Sequence, residues 1–161
     1  MDVRRARIED LHAVGKLAGG LVRMHERFDP DRFLHIPNPE AGYERFLAGE
    51  LADKEACVMV ADDGGEIVGY TYSTLEGRDW NALLDACGQL HDIFIREAAR
   101  GRGIGDALLR GTLAELTSMG APRVVLSTAV QNEGAQRFFE RHGFRRTMIE
   151  MTHTPKKAEA S

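Results

Sequence analysis

The alternation of apolar periods along the chain predicts an α/β (α+β) fold, a mixed sheet with helices on both faces. Two observations carry that expectation. Within Leu90–Arg110 the period changes from strand to helix. Ile93, Phe94 and Ile95 form a short apolar run rich in strand formers, and Ile104, Leu108 and Leu109 then recur at helical spacing. The unit also continues into a further apolar run, Val124-Val125-Leu126, and a strand–helix–strand crossover of this kind is almost always right-handed.

The other elements follow in order. Val3–Ile8 reads as an edge strand whose arginines blunt the edge. Glu9 or Asp10 can cap a helix running to about Met24, with Leu11, Val14, Leu17, Ala18 and Leu21 on one face. Phe28–Pro39 holds three prolines and reads as a loop. Ala41–Ala52, with Tyr43, Phe46, Leu47 and Leu51 at helical spacing, is a second helix. Ala56–Ala61 is a buried strand, and Asp62-Asp63-Gly64-Gly65 turns it into a strand over Glu66–Leu75. Glu76–Gly88 is a loop. Glu133–His142 is a helix stopped by Gly143, and Phe144–Met151 is a final strand.

Composition narrows the class. The chain has 161 residues, 43% hydrophobic and 29% charged, with formal charge −4. That suits one globular domain, expected over residues 1–153, with residues 154–161 as a frayed tail. A general nucleic-acid binder is expected to be basic, so no nucleic acid is expected as partner. Cys57 and Cys87 make neither a metal spacing nor a disulfide framework, so no metal is expected. The first residues lack the apolar core of a signal peptide, and no stretch has the length of a membrane span. The expectation is therefore a cytoplasmic protein without a membrane partner.

The chemistry concentrates where the period changes. Gly101, Gly103 and Gly105 alternate with Arg100 and Arg102, and a helix follows. A strand feeding a glycine-rich loop and a helix N-terminus cradles phosphate, because bare backbone N–H groups approach the oxygens closely. The spacing is not that of a P-loop, which needs Gly-Lys-Ser/Thr. Nor is it the dinucleotide fingerprint, since Asp106 stands where a third glycine would be.

Arg-x-x-Gly-x-Gly after an apolar strand resembles the pyrophosphate motif of the GNAT superfamily of acetyl-CoA-dependent N-acyltransferases. Leu126–Phe144 supplies a second match: an apolar strand end, Asn132, Ala135, the pair Phe138-Phe139, Glu140, then Gly143-Phe144. The resemblance covers about Val58–Met151 and fades over Asp2–Lys54.

It implies a mostly antiparallel sheet whose fourth and fifth strands splay apart to admit the pantetheine arm of acetyl-CoA. The arm would pair with the edge of Ile93, Phe94 and Ile95, as a peptide adds to a sheet. A strand N–H there would polarise the acyl carbonyl. The pyrophosphate would fall on Arg100, Gly101, Arg102, Gly103, Ile104 and Gly105. Asn132 would bond the arm, cap the next helix, or do both. Phe139 counts among the cofactor-binding positions, yet it stands where many relatives carry the tyrosine taken to protonate the departing thiolate. Tyr70 and Tyr72, on a neighbouring strand, are substitutes for that role.

The implied reaction is acetyl transfer to a primary amine by direct attack in a ternary complex. The alternative, kept open by Phe139, is an acyl-CoA-binding sensor on the same fold. A base is needed, and Asp92 ranks ahead of His91, with Glu150 behind both. Adjacent strand residues point to opposite faces, so one of the two at most is expected to face the pocket. Glu26, Asp29, Asp31, Glu76, Asp79 and Asp85 favour a small cationic amine acceptor. A homodimer is carried as an expectation on the resemblance.

Overall fold

The computed structural model describes residues 1–156; most of the expected tail, residues 157–161, lies outside the described residues. The elements are β1 (Asp2–Arg5), α1 (Leu11–Phe28), α2 (Pro39–Glu50), β2 (Ala56–Asp62), β3 (Ile67–Glu76), β4 (Cys87–Ile95), α3 (Ile104–Ser118), β5 (Val124–Leu126) and α4 (Glu133–Arg141). The chain groups into two compact units, one of residues 1–22 and 36–127, the other of residues 23–35 and 128 onward.

The first unit contains the sheet, ordered β1-β2-β3-β4-β5. The pairs β1–β2, β2–β3 and β3–β4 are antiparallel and β4–β5 is parallel. Each face carries its own apolar cluster, because side chains alternate along each strand. On one face Leu11, Val14, Leu17 and Ala18 of α1 and Leu47 of α2 cover Val58, Val60, Tyr70 and Tyr72. On the other, Ile104 and Leu108 of α3 cover Cys57, Met59, Ala61 and Val68. Gly69 lets α3 come close, since a Cβ there would stand 2.9 Å from a Leu108 methyl. The hydroxyls of Thr71 and Thr112, both fully buried, lie 2.6 Å apart and tie β3 to α3.

The second unit holds the end of α1, the loop after it and α4. Phe139 is buried, with edge contacts to Phe138 and Phe144. The final strand expected over Phe144–Met151 does not form, and every described residue from Arg145 onward is exposed. The apolar run there is strand-prone, but no ladder takes it up, and a strand without a neighbour has no hydrogen bonds to hold it.

Candidate active site on the fourth strand

Asp92 and His91 share a face. The β3–β4 register passes from Tyr72 opposite Asp92 to Ser73 opposite Leu90, so His91 is an extra residue on β4. Such a bulge breaks the alternation of sides. The expectation that only one of the pair faces the pocket is thereby corrected. The His91 ring stacks on Tyr72, with centroids 4.9 Å apart and planes at 23°. Its Nε2 lies 2.7 Å from the Thr74 hydroxyl. Asp92 accepts a 3.0 Å hydrogen bond from the Tyr70 hydroxyl.

Two further carboxylates complete this polar row. Glu50 of α2 accepts from the Tyr72 hydroxyl at 2.5 Å. Glu76 accepts from the Thr74 hydroxyl at 2.5 Å. Because Thr74 gives its only proton to Glu76, it must accept from His91 Nε2–H. The imidazole is then held as the Nε2–H tautomer, with the Nδ1 lone pair as its acceptor. Glu50 and the Glu76–Thr74–His91 chain were not legible in the sequence, because they depend on the bulge and on where α2 ends.

The tyrosines stay neutral. Burial pushes the Tyr43 phenol up to about 12, and the charge of Asp92 adds to the rise. Tyr70 and Tyr72 are raised as well, first by burial, then by Asp92 for Tyr70 and by the hydrogen bond to Glu50 for Tyr72. All three are therefore hydrogen-bond donors here and cannot act as bases.

The glycine loop lies at the end of the same strand. Arg100–Gly103 connects a short 3-10 turn, Glu97–Ala99, to α3. Gly101 and Gly103 both have φ of 75°, in the region that favours glycine, and a Cβ on either would meet open space. The first amides of α3 sit beside that opening and have no intrahelical partners. Arg100 turns back, its Nε donating to the Ile95 carbonyl at 3.0 Å and its guanidinium lying 5.4 Å from the centre of the Phe94 ring. Arg102 pairs with Asp63 of the β2–β3 turn at 2.8 Å. Strand β5 pairs with Gly88, Gln89 and Leu90 only. From His91 to Ile95 that side of β4 has no neighbouring strand among the described residues, which is the splay expected between the fourth and fifth strands.

In the second unit, the Asn132 side chain accepts from the Ala135 amide at 3.2 Å and caps α4. Glu150 pairs with Arg32, which holds its carboxyl below the usual range. A paired, exposed carboxylate of that kind is a poor base.

The acidic loop residues are largely engaged locally. Asp29 accepts from the amides of Asp31 and Arg32, and Asp79 from those of Asn81 and Ala82. Asp85 pairs with Arg78, and Glu26 lies against His35. An open depression of about 760 Å³ lies by the β2–β3 turn, lined by Arg4, Lys16 and Arg96 among others. Neither His91, Asp92 nor the glycine loop lines it.

A mixed sheet with parted fourth and fifth strands, ending in a glycine loop and helix, defines a class of acyl-transferring enzymes. The pattern of the Acetyltransferase (GNAT) family matches residues 21–144, and the chain belongs to that family as an acyltransferase. An uncharacterized N-acetyltransferase of Bacillus subtilis, YhfO, is 26% identical over 89% of each chain. A mycothiol acetyltransferase of Corynebacterium efficiens is 31% identical over 56% of this chain, which matches only 28% of that longer protein. In fold, the chain is similar to a variant of the BH1408 protein of Bacillus halodurans. The TM-score is 0.83 at 23% identity, over 96% of this chain and all of that one.

Proposed function

We propose that the protein moves the acetyl group of acetyl-CoA to a primary amine by direct attack in a ternary complex, with His91 as the base. Acetyl-CoA supplies the acyl carbon and a thiolate leaving group. Residues His91–Ile95 offer the strand edge for the pantetheine arm, and Arg100–Gly105 the cradle for the pyrophosphate. The observation that carries the reading is the bulge. It puts an imidazole with an available lone pair on the edge where the arm would lie.

His91 takes a proton from the amine as nitrogen attacks the carbonyl carbon. The C–N bond forms, the C–S bond breaks, and the electron pair leaves on sulfur. The proton received at Nδ1 is offset by Glu76 through Thr74, which stabilises the imidazolium. Asp92, held by Tyr70, is a positioning residue: its charge favours an ammonium nearby and the imidazolium beside it. Phe139 has no proton to give, so the thiolate leaves unprotonated, and an ordinary thiol acidity makes that affordable.

Glu50 and Glu76 replace the loop carboxylates as the groups that would favour a small cationic amine. Unlike Asp29, Asp79 and Asp85, they border the His91 row. The names of the two curated relatives, an N-acetyltransferase and a mycothiol acetyltransferase, support the reaction class.

The test is release of free thiol from acetyl-CoA against a panel of amines. Turnover should be fastest with a small cationic amine, and kcat/KM should fall with salt. Tight CoA binding without thiol release on any amine would favour the sensor. A neutral best acceptor would remove the acidic steering.

The cradle has its own prediction. A valine at position 103 must occupy the open space and hold a positive φ, which costs a β-branched residue on the order of 1–3 kcal/mol. Gly103→Val should weaken CoA binding at least tenfold by calorimetry while circular dichroism stays that of the parent. Unchanged affinity in a folded variant would move the pyrophosphate elsewhere. Phe139→Tyr should leave kcat within about twofold of the parent if the thiolate leaves unaided. A rise of tenfold would instead make its protonation rate-limiting.

A further inference from the structure

The strongest unused feature is the segment after α4. Met148, Ile149 and Met151 are each more than four-fifths exposed. They sit in a run that also holds Thr147 and Thr152, residues with strand propensity, and Pro155 bounds it. Exposed apolar runs of this kind mark interaction surfaces. The segment is in no ladder of the sheet. Two ion pairs, Arg146–Glu140 and Arg32–Glu150, are recorded for it, and pairs this exposed contribute little.

The sheet has the complementary vacancy. Strand β5 is its last strand, paired with β4 on one side and with no strand on the other among the described residues. Its sequence, Val124-Val125-Leu126, carries nothing that guards an edge. The opposite edge, β1, is guarded. Arg4 and Arg5 lie along it, engaged with Asp10, Asp62 and Glu115.

We propose that two copies of this chain exchange their C-terminal segments, residues 145–152 of each adding as a strand to the outer edge of β5 in the other. Each copy holds one strand without a ladder and one edge without a strand, so a two-fold pair satisfies both twice and closes on itself. A foreign partner would satisfy only one of them. The three large apolar side chains expose on the order of 500 Å² per chain, hence about 1,000 Å² over the pair before the surface they cover is counted. That reaches the area a specific interface needs.

The experiment uses the full chain. Val125→Cys in one preparation and Met148→Cys in another, with different mass tags, are co-refolded and treated with a short bis-maleimide. Both native cysteines, Cys57 and Cys87, are buried. The expected product is a mixed species joining the two tags, together with a solution mass of two chains by light scattering. Val124→Cys replaces Val125→Cys if the latter does not fold. Thr147→Pro and Ile149→Asp, which spoil the added strand, should raise the dimer dissociation constant at least tenfold with the circular dichroism of the parent. A monomer at 100-fold dilution and at millimolar concentration alike would overturn the proposal. So would a dimer that forms no mixed product, or one indifferent to both variants.

Discussion

Replacing His91 with glutamine should lower kcat about 10²–10³-fold at pH 7, the usual worth of one positioned base. The KM for acetyl-CoA should change little, since the imidazole acts on the amine and not on the arm. The loss should shrink as pH rises and free amine becomes abundant, because a deprotonated acceptor needs less help. Thr74→Val tests the tautomer separately. It removes the hydroxyl between His91 Nε2 and Glu76, 2.7 Å and 2.5 Å from the two partners, and frees the ring to present either nitrogen. A loss of about tenfold is expected there, with folding intact. Asp92→Asn should cost less than His91→Gln and should not reshape the pH profile. If the two variants exchange these behaviours, Asp92 is the base and the Tyr70 hydroxyl orients it. A His91→Gln enzyme within twofold of the parent would remove the imidazole from the mechanism.

The choice between Asp92 and His91 was beyond the sequence for a definite reason. Period-2 alternation is local, whereas a bulge is a statement about the register of β4 against β3. Nothing in Leu90-His91-Asp92-Ile93 announces that Tyr72 will sit opposite Asp92 and Ser73 opposite Leu90. By contrast, β4 and α3 were legible, because Ile93–Ile95 and Ile104–Leu109 change period across a glycine loop and need no distant partner to do so. Helix α1 was legible from Leu11, Val14, Leu17 and Ala18, which bury together. The run Phe144–Met151 shows the converse limit. Its strand propensity is plain, but propensity does not choose a neighbour, and within the described chain no neighbour takes it. The loop carboxylates illustrate a third limit. Asp29 and Asp79 look like mobile surface charge in sequence, yet each is engaged by backbone amides two and three residues on, a common use of aspartate in turns.

The fold also makes a strong demand at its first strand, where Asp10→Ala should destabilise the protein by about 2–4 kcal/mol. Arg4 donates to both oxygens of Asp10, at 2.7 and 3.0 Å, and to Asp62 at 3.0 Å. The Arg7 amide donates to Asp10 at 2.7 Å. The Asp10 side chain is only 7% exposed and that of Arg4 19%, so solvent screens the pair weakly. Alanine would leave a half-buried guanidinium with one partner and an orphaned amide just before α1. In a chain of this size the loss should appear as a fall in Tm of roughly 5–15 °C. The pH dependence follows from the sign of the shift. The hydrogen bonds from Arg4 hold the Asp10 carboxyl below its ordinary value of 3.8, outweighing burial. Asp62 is lowered by the same guanidinium. A depressed carboxyl stabilises the fold above its unfolded pKa, and that contribution is lost as pH falls through the folded value. The parent should therefore outlast Asp10→Asn by a constant margin from pH 7 to about pH 5, and the margin should close below about pH 4. Denaturant titrations at stepwise pH would read it directly, and a margin that persists undiminished at pH 2 would mean the Arg4–Asp10 ion pair is not its source.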